Sequence, residues 1–369
     1  MLKDVVDFIS VGQAGGNIVN EFEKLDNQCF YINSSLDDLD TLDTDEENKY
    51  CIENTKGMAK DVNYAEQIIK SNDNDFKIAE KIYKRNPNAH IYFFVFSLSG
   101  GTAHMAPYIM VKFKEYFPNK IVNAIVIKPH QDEDMIMHYN AKKSLENIKK
   151  CMDNGIITNV QVLDNNSKEF GDKMELNKEF VKLFDEILTF ENINCEGNLD
   201  EEEFERLFST KGTTVIHKLD NGDLANNLTR FEDETIYADF IKNPSTHGLI
   251  INKKQNNSVN RSIIKDVFGI PTVTHDTIWE KDYNIIVSTG MDFNEGLISE
   301  SVRYYNDILN KKKEFESKIY EDNKVENIEL DNSILNNIIK NKTITQENKP
   351  RPNRRNRKVG IENESMFKL

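Results

Sequence analysis

Two glycine-rich turns, each joining a strand-like apolar run to a helix-like stretch, constrain this chain more than any other feature. Val5–Val11 is mostly apolar and β-branched and ends directly on Gly12-Gln13-Ala14-Gly15-Gly16-Asn17, after which Ile18, Val19, Phe22 and Leu25 recur at helical spacing. The pattern repeats about 85 positions on. The run Ile91–Phe96 leads into Ser97-Leu98-Ser99-Gly100-Gly101-Thr102-Ala103-His104, and Met105–Tyr116 then reads as a helix. Glycines at such a junction let backbone approach a phosphate closely, and the following helix offers free N–H groups and the positive end of its dipole. Two such junctions imply two loops gripping one polyphosphate, with the Thr102 hydroxyl available to a phosphate oxygen. A Walker loop is excluded, because no Gly-Lys-Ser/Thr follows either turn. The spacing also departs from Gly-x-Gly-x-x-Gly, which counts against a nicotinamide-dependent Rossmann enzyme.

The surrounding pattern predicts an α/β fold. Ile121–Ile127 is a further strand closed by Lys128-Pro129, Asn140–Met152 a helix, and Val160–Leu163 a short strand, so strands alternate with helices as in a parallel sheet covered on both faces. Leu176–Leu188 predicts a longer helix with Phe180, Leu183, Phe184, Ile187 and Leu188 on one side. Beyond it, Thr213–Leu219, Gly248–Asn252, Pro271–His275 and Asn284–Thr289 read as strands with fewer helices between them, which suggests a second, smaller α+β domain. The expected limits are a nucleotide-binding domain over 1–175, a central connecting helix over 176–195, the α+β domain over 196–295, a polar helical extension over 296–345 and a disordered basic tail over 346–369. Pro350 and Pro352 forbid regular helix in that tail.

Charge narrows the partners. The chain carries a net charge of −15, which argues against broad nucleic-acid binding by the globular body. The tail is the exception, since Lys349, Arg351, Arg354, Arg355, Arg357 and Lys358 follow one another with no intervening acid. No apolar run approaches the length of a membrane span, and the start of the chain does not read as a signal peptide, so a cytoplasmic protein is expected. Cys29, Cys51, Cys151 and Cys195 are scattered without metal-ligand spacing and read as reduced, buried or half-buried thiols.

Taken in order, the motifs resemble those of the tubulin/FtsZ family, and most closely its plasmid and phage segregation branch of TubZ type. Gly12, Gly15, Gly16 and Asn17 resemble the family's opening glycine loop, with altered spacing. Ser99-Gly100-Gly101-Thr102 resembles its glycine-triplet signature, with Ser99 in place of the first glycine and Ala103, His104 and Met105 where further signature residues are expected. Asn33-Ser34-Ser35-Leu36-Asp37 is similar to the loop after the second strand, and Gly57-Met58-Ala59-Lys60-Asp61 to the loop that senses a terminal phosphate. Lys128-Pro129 with Glu133 resembles the loop whose carboxylate takes the ribose hydroxyls; the other reading of Glu133 is a solvated acid between Asp132 and Asp134. Asp164-Asn165-Asn166 stands where an asparagine contacts guanine, and either Asn165 or Asn166 fits. Asp185 aligns with an acid that reads the purine edge, a role that favours guanine because a carboxylate accepts from N1–H and the 2-amino group.

The resemblance implies a fold with a long central helix and a cavity for GTP or GDP formed by Gly12, Gln13, Ala14, Gly15, Asn17, Asn33, Gly57, Ser99, Gly100, Gly101, Thr102, Ala103, Pro129, Glu133, Asn165, Asn166 and Asp185. Mg²⁺ would be held mainly through phosphates, with no dedicated protein cage. Gly197–Phe204 resembles the family loop whose two acids, here Asp200 and Glu203, enter the nucleotide pocket of the next subunit. Three apart at a helix start, they share a face; without the resemblance they would read as acids complementing a helix dipole. The implied activity is polymerisation-activated GTP hydrolysis in head-to-tail filaments that segregate DNA, with the basic tail meeting a DNA-bound adaptor. The rival readings are a cell-division or phage-centring filament of the same family and a non-hydrolysing nucleotide-binding scaffold.

Overall fold

In β1 (Val6–Val11) successive side chains serve different cores: Phe8 belongs to one and Ile9 to the other. The same alternation runs along β4 (Ile91–Ser97), where Phe93 and Val95 face one side and Tyr92, Phe94 and Phe96 the opposite side. A strand buried on both faces is mostly apolar, which is why these segments read as near-continuous runs, although β1 also buries Ser10 and Asp7, the latter 3.3 Å from Arg85. The structure is a computed structural model; it describes residues 2–167, 172–190, 201–220, 235–254 and 261–322.

The remaining strands are β2 (Cys29–Asn33), β3 (Lys49–Cys51), β5 (Ile121–Lys128), β6 (Asn159–Asp164), β7 (Gly212–Asp220), β8 (Thr246–Asn252), β9 (Val273–Trp279) and β10 (Tyr283–Met291). They form one ten-stranded sheet in the order β3-β2-β1-β4-β5-β6-β7-β10-β8-β9. Pairing is parallel from β3 through to β7, whereas β10 runs antiparallel to both β7 and β8. The strands expected in a second domain thus continue the first sheet, although β6 and β7 pair through only Asn159↔Gly212 and Val160↔Thr213. The expected limits at 175 and 196 fall within one compact unit, residues 1–312; residues 313–369 form a second.

One face is covered by α1 (Gln13–Glu23), α7 (Lys173–Leu188) and α8 (Glu201–Ser209). There Phe8, Phe22, Phe93, Phe184 and Phe208 pack ring against ring, with Phe8 and Phe22 stacked at 3.8 Å between centroids. The other face is covered by α3 (Val62–Lys70), α4 (Asn74–Arg85), α5 (Ala106–Tyr116) and α6 (Met135–Asp153). The helix Gly296–Asp322 fills the first part of the expected extension; residues 323–369, with the basic tail, lie outside the described residues. Among the described residues no helix is long and apolar enough to cross a membrane, and no group of three His, Cys, Asp or Glu could hold a metal ion. Cys29 and Cys151 are buried free thiols and Cys51 is a half-buried one.

Candidate functional site

Because β1 lies between β2 and β4, the chain crosses over in opposite senses on either side of it, and the crevice at the carboxyl ends of β1 and β4 is a topological switch point. A cavity of about 490 Å³ opens there. Gly12 terminates β1 with φ +82°, a conformation that L side chains rarely adopt, and α1 starts at the next residue. A Cβ on Gly12 would lie 3.4 Å from both the Ala103 amide nitrogen and Thr102 Cβ, so the two glycine turns abut. At Gly15 a Cβ would come within 2.0 Å of the Val95 carbonyl oxygen, which presses α1 directly onto β4.

The second turn is held by side chains. Ser97 Oγ accepts from the Gly100 amide at 3.0 Å, and Ser34 Oγ and Thr102 Oγ1 lie 2.5 Å apart. Asn140 Nδ2 donates to the Ser99 carbonyl at 3.1 Å and to the Lys60 carbonyl at 2.9 Å, pinning two loops to α6. His104 is buried, with Nε2 3.2 Å from Glu66 on α3 and Nδ1 3.3 Å from Ser144 on α6. Burial pulls the imidazole's pKa below its usual value against the opposing pull of Glu66.

Further loops complete the wall. Asn33 Oδ1 accepts from the Ser34 amide at 2.7 Å and Asn33 Nδ2 donates to Asp38, shaping the turn in which Ser35 caps the short helix α2 (Leu36–Asp40). Ala59 and Lys60 both take left-handed backbone conformations, at φ 46° and 62°. On the far side stand Pro129, Glu133, Met137, Asn165 and Lys173. Glu133 is bonded by Lys173 at 2.8 Å, and Lys60 pairs with Asp134 at 3.3 Å. Below them the buried ammonium of Lys128 lies 3.0 Å from Asp164 and 2.6 Å from Glu300; burial disfavours its charge, but the two carboxylates outweigh that and raise its pKa.

Paired glycine turns at a switch point fit a nucleotide, and residues 5–168 match the Tubulin/FtsZ family, GTPase domain. The chain carries a tubulin/FtsZ-family GTPase domain. It is 28% identical over 325 residues to the tubulin-like protein TubZ of Clostridium botulinum C phage, covering 86% of this chain and 87% of that protein. A solved structure of Clostridium botulinum phage c-st TubZ, truncated at its C-terminal tail, matches with a TM-score of 0.75 at 26% identity, over 84% of this chain and 100% of that one. A GTPγS-form protofilament of TubZ from Bacillus thuringiensis serovar israelensis shares the fold at 16% identity, with a TM-score of 0.72 over 85% of this chain and 94% of that one.

Within the GTPase domain, Gly12, Gln13, Ala14, Asn33, Gly57, Ser99, Gly100, Gly101, Thr102, Ala103, Pro129, Glu133 and Asn165 line the cavity together. Gly15 serves the packing of α1, and Asn17, one turn into α1 and half-buried, is not among the lining residues. Asn165 and Asn166 separate: Asn166 fastens the loop from within, donating to Asp164 and the Pro129 carbonyl and accepting from the Gln131 amide at 2.7 Å. Asp185 stands away from the cavity. It pairs with Lys3 at 2.9 Å and accepts from Asn27 at 2.7 Å, in the last turn of α7, twelve residues and about 18 Å along the axis from Lys173. Helical periodicity places Asp185 on this helix, but the helix meets the cavity with its first turn. Glu203, on α8, has His275 of β9 at 2.9 Å, and Asp200 lies outside the described residues.

Ser34, Ser35 and Lys60 lie in loops that the motifs single out but are not themselves marked there as lining residues, while Asp38, Met137 and Lys173 carry no such motif. The Ser-x-x-Asp spacing of Ser35 and Asp38 carries a helix-cap signal that marks this turn. Asn140 is different: an asparagine inside a helical stretch gives no sign that it staples two loops.

Proposed function

We propose that this chain binds GTP in the cavity and hydrolyses it within a head-to-tail filament that segregates plasmid or phage DNA. The observation that carries the reading is the pair of abutting glycine turns over one cavity, in a GTPase domain whose relatives include TubZ proteins. Backbone N–H groups at the start of α1 and around Ser99–Ala103 receive the phosphates. Glu133, oriented by Lys173, accepts from the ribose hydroxyls. Asn165 faces the base. Asn177, four residues from Lys173 and therefore on the same side of α7, supplies an amide in the role that Asp185 is too distant to fill. Mg²⁺ would be carried by phosphate oxygens and water, with no protein cage.

Asp200 and Glu203 are assigned to the neighbouring subunit's cavity, where carboxylates orient the attacking water. Water adds to the γ-phosphorus, the bond to the β–γ bridging oxygen breaks, and GDP leaves with that electron pair. Head-to-tail contact does not close on itself, so it extends into filaments. The acid-free run from Lys349 to Lys358 suits an anionic partner such as an adaptor–DNA complex. The test measures phosphate release against protein concentration. The reading requires turnover to rise steeply above a critical concentration, and Asp200→Ala subunits mixed with wild type to lower it. Concentration-independent turnover, or undiminished turnover by an Asp200→Ala filament, removes the trans-acid mechanism. Bound GTP without any turnover favours the non-hydrolysing scaffold.

A further inference from the structure

Resting on the assignment of Glu133 to the ribose, we propose that Glu300 is a positioning residue for the nucleotide's sugar, acting through the loop that presents Glu133. Glu300 lies on the helix Gly296–Asp322 and is not among the cavity-lining residues, yet two routes lead from it to that loop. The first starts at Glu300 Oε2, 2.6 Å from the buried Lys128 ammonium, which is itself 3.0 Å from Asp164 Oδ2. Lys128 and Asp164 are register partners at the ends of β5 and β6, so the loop begins one residue beyond Lys128. Asp164 Oδ1 accepts from the Asn166 amide at 2.9 Å and from the Asn166 side chain at 2.6 Å. Asn166 in turn donates to the Pro129 carbonyl at 3.3 Å and accepts from the Gln131 amide at 2.7 Å. The second route starts at Glu300 Oε1, which accepts from the Tyr304 hydroxyl at 3.1 Å. The Tyr304 ring lies 5.2 Å from that of His138 on α6, and His138 Nε2 is 3.2 Å from the Gln131 carbonyl oxygen. A carbonyl only accepts, so His138 donates there through Nε2–H. The routes converge on Gln131, one at its N–H and the other at its C=O, two residues before Glu133.

The charges of this cluster exceed what stability alone calls for. Asp164 already neutralises Lys128 from the adjoining strand. Glu300 brings a second carboxylate to the same ammonium with its side chain only 25% exposed, and Arg303, 3.8 Å from it and 62% exposed, is too solvated to balance that charge. Withdrawing an extra carboxylate from water is costly, and here charge-assisted bonds offset the cost only because both of its oxygens are engaged. What the second carboxylate adds is geometry. It fixes Lys128 against a helix as well as a strand, and it brings Tyr304 to His138. The loop needs such anchoring, because Asp132, Glu133 and Asp134 are successive acids whose mutual repulsion spreads the backbone that carries them. Anchored at both polar groups of Gln131, the loop keeps Glu133 toward the cavity, where Lys173 completes its orientation.

The experiment measures binding of GDP and of 2′,3′-dideoxy-GDP by calorimetry, on full-length protein below its polymerisation concentration. Wild type is expected to prefer GDP by about tenfold, as hydrogen bonds to a carboxylate allow. Glu300→Leu should weaken GDP on the order of fivefold or more while changing the dideoxy analogue less than about twofold, so that the preference closes. Glu300→Gln keeps an acceptor toward Lys128 and should fall between the two; it carries the test where the leucine variant does not fold. Glu133→Ala combined with Glu300→Leu should bind GDP no more weakly than Glu133→Ala alone, because one residue acts through the other. Glu295→Ala, which breaks the exposed pair with Lys149 just before the same helix, should leave the preference unchanged. Equal weakening of both ligands, GDP affinity unchanged in both Glu300 variants, additive losses in the double variant, or the same loss from Glu295→Ala overturns the proposal and leaves the GTP reading intact. A wild-type protein that binds both ligands equally removes the ribose role of Glu133 and the proposal with it, and one that binds neither removes the nucleotide reading as well.

Discussion

The two glycine turns occupy matching places in the fold and are held there by different means. The first is fixed by backbone: Gly12 turns at positive φ, α1 begins at once, and Gly15 brings that helix against the Val95 carbonyl. In the second turn neither Gly100 nor Gly101 needs a positive φ. Ser97, Thr102, His104 and Asn140 hold it instead, through bonds within the turn and to α3, α6 and the loop after β2. A glycine signature can therefore degenerate in sequence while its loop stays in place, provided that neighbouring side chains take over the positioning. The cost is that the second turn depends on groups that can be deleted or titrated one at a time.

The comparison breaks most severely at Gly15. A methyl group there would meet the Val95 oxygen at 2.0 Å, and neither β4 nor α1 can yield without opening the aromatic layer of Phe8, Phe22 and Phe93. Gly15→Ala is expected to cost about 3 kcal/mol or more, or to prevent folding, as read by urea denaturation. Gly16 is the control within the same turn. Its Cβ would meet only the Leu42 methyl groups at 3.8 Å, so Gly16→Ala should remain within about 1 kcal/mol of wild type. Equal effects at the two positions would show that the first turn is not set by close backbone approach.

Next in size is His104→Ala. It empties a fully buried site and leaves Glu66 and Ser144 without the imidazole that joins α3 to α6. A loss of about 2–4 kcal/mol is expected, together with weakened nucleotide binding. Loss of stability with unchanged binding would show that the brace is not what shapes the second turn.

This difference also explains what could be read from the sequence. β1, β4 and β5 are legible because strands buried on both faces are mostly apolar, even with Asp7, Ser10 and Asn123 buried among them, and the turns are legible because glycine is nearly obligatory where backbones touch. The braces were not. Asn140, Glu66 and Ser144 are ordinary polar residues on helices, and only the fold brings them to the turn. α6 was read from Asn140 although it begins at Met135, because the acidic stretch Asp132–Asp134 resembles a loop until its position at the helix start is known. β9 was placed too early, since its first half is exposed and its buried half runs through Ile278 and Trp279. Asp185 fell on the right helix at the wrong end: periodicity fixes which side of a helix is buried, not which turn meets a ligand.

The smallest expected effect separates the two turns by acidity. Gly12–Asn17 contains no titratable side chain, whereas the second turn ends on His104, whose surroundings include Glu66, Tyr108, Lys70 and Lys143. Burial lowers the folded-state pKa of His104 below its ordinary 6.5, so the unfolded state binds the proton more tightly. Stability from this group is therefore complete above about pH 6.5 and is lost as the pH falls below it. Hydrogen-exchange protection, corrected for intrinsic rates, should drop between pH 7 and pH 5 at the amides of Ser99–His104 more than at those of Gly12–Asn17. His104→Gln, which cannot titrate but can still hydrogen-bond, should remove that difference. It should leave a general acid sensitivity, because burial also lowers the pKa of His138, His217 and His247. A fall of equal size at both turns would instead place the sensitivity in those shared histidines and remove the distinction between a turn held by backbone and one held by side chains.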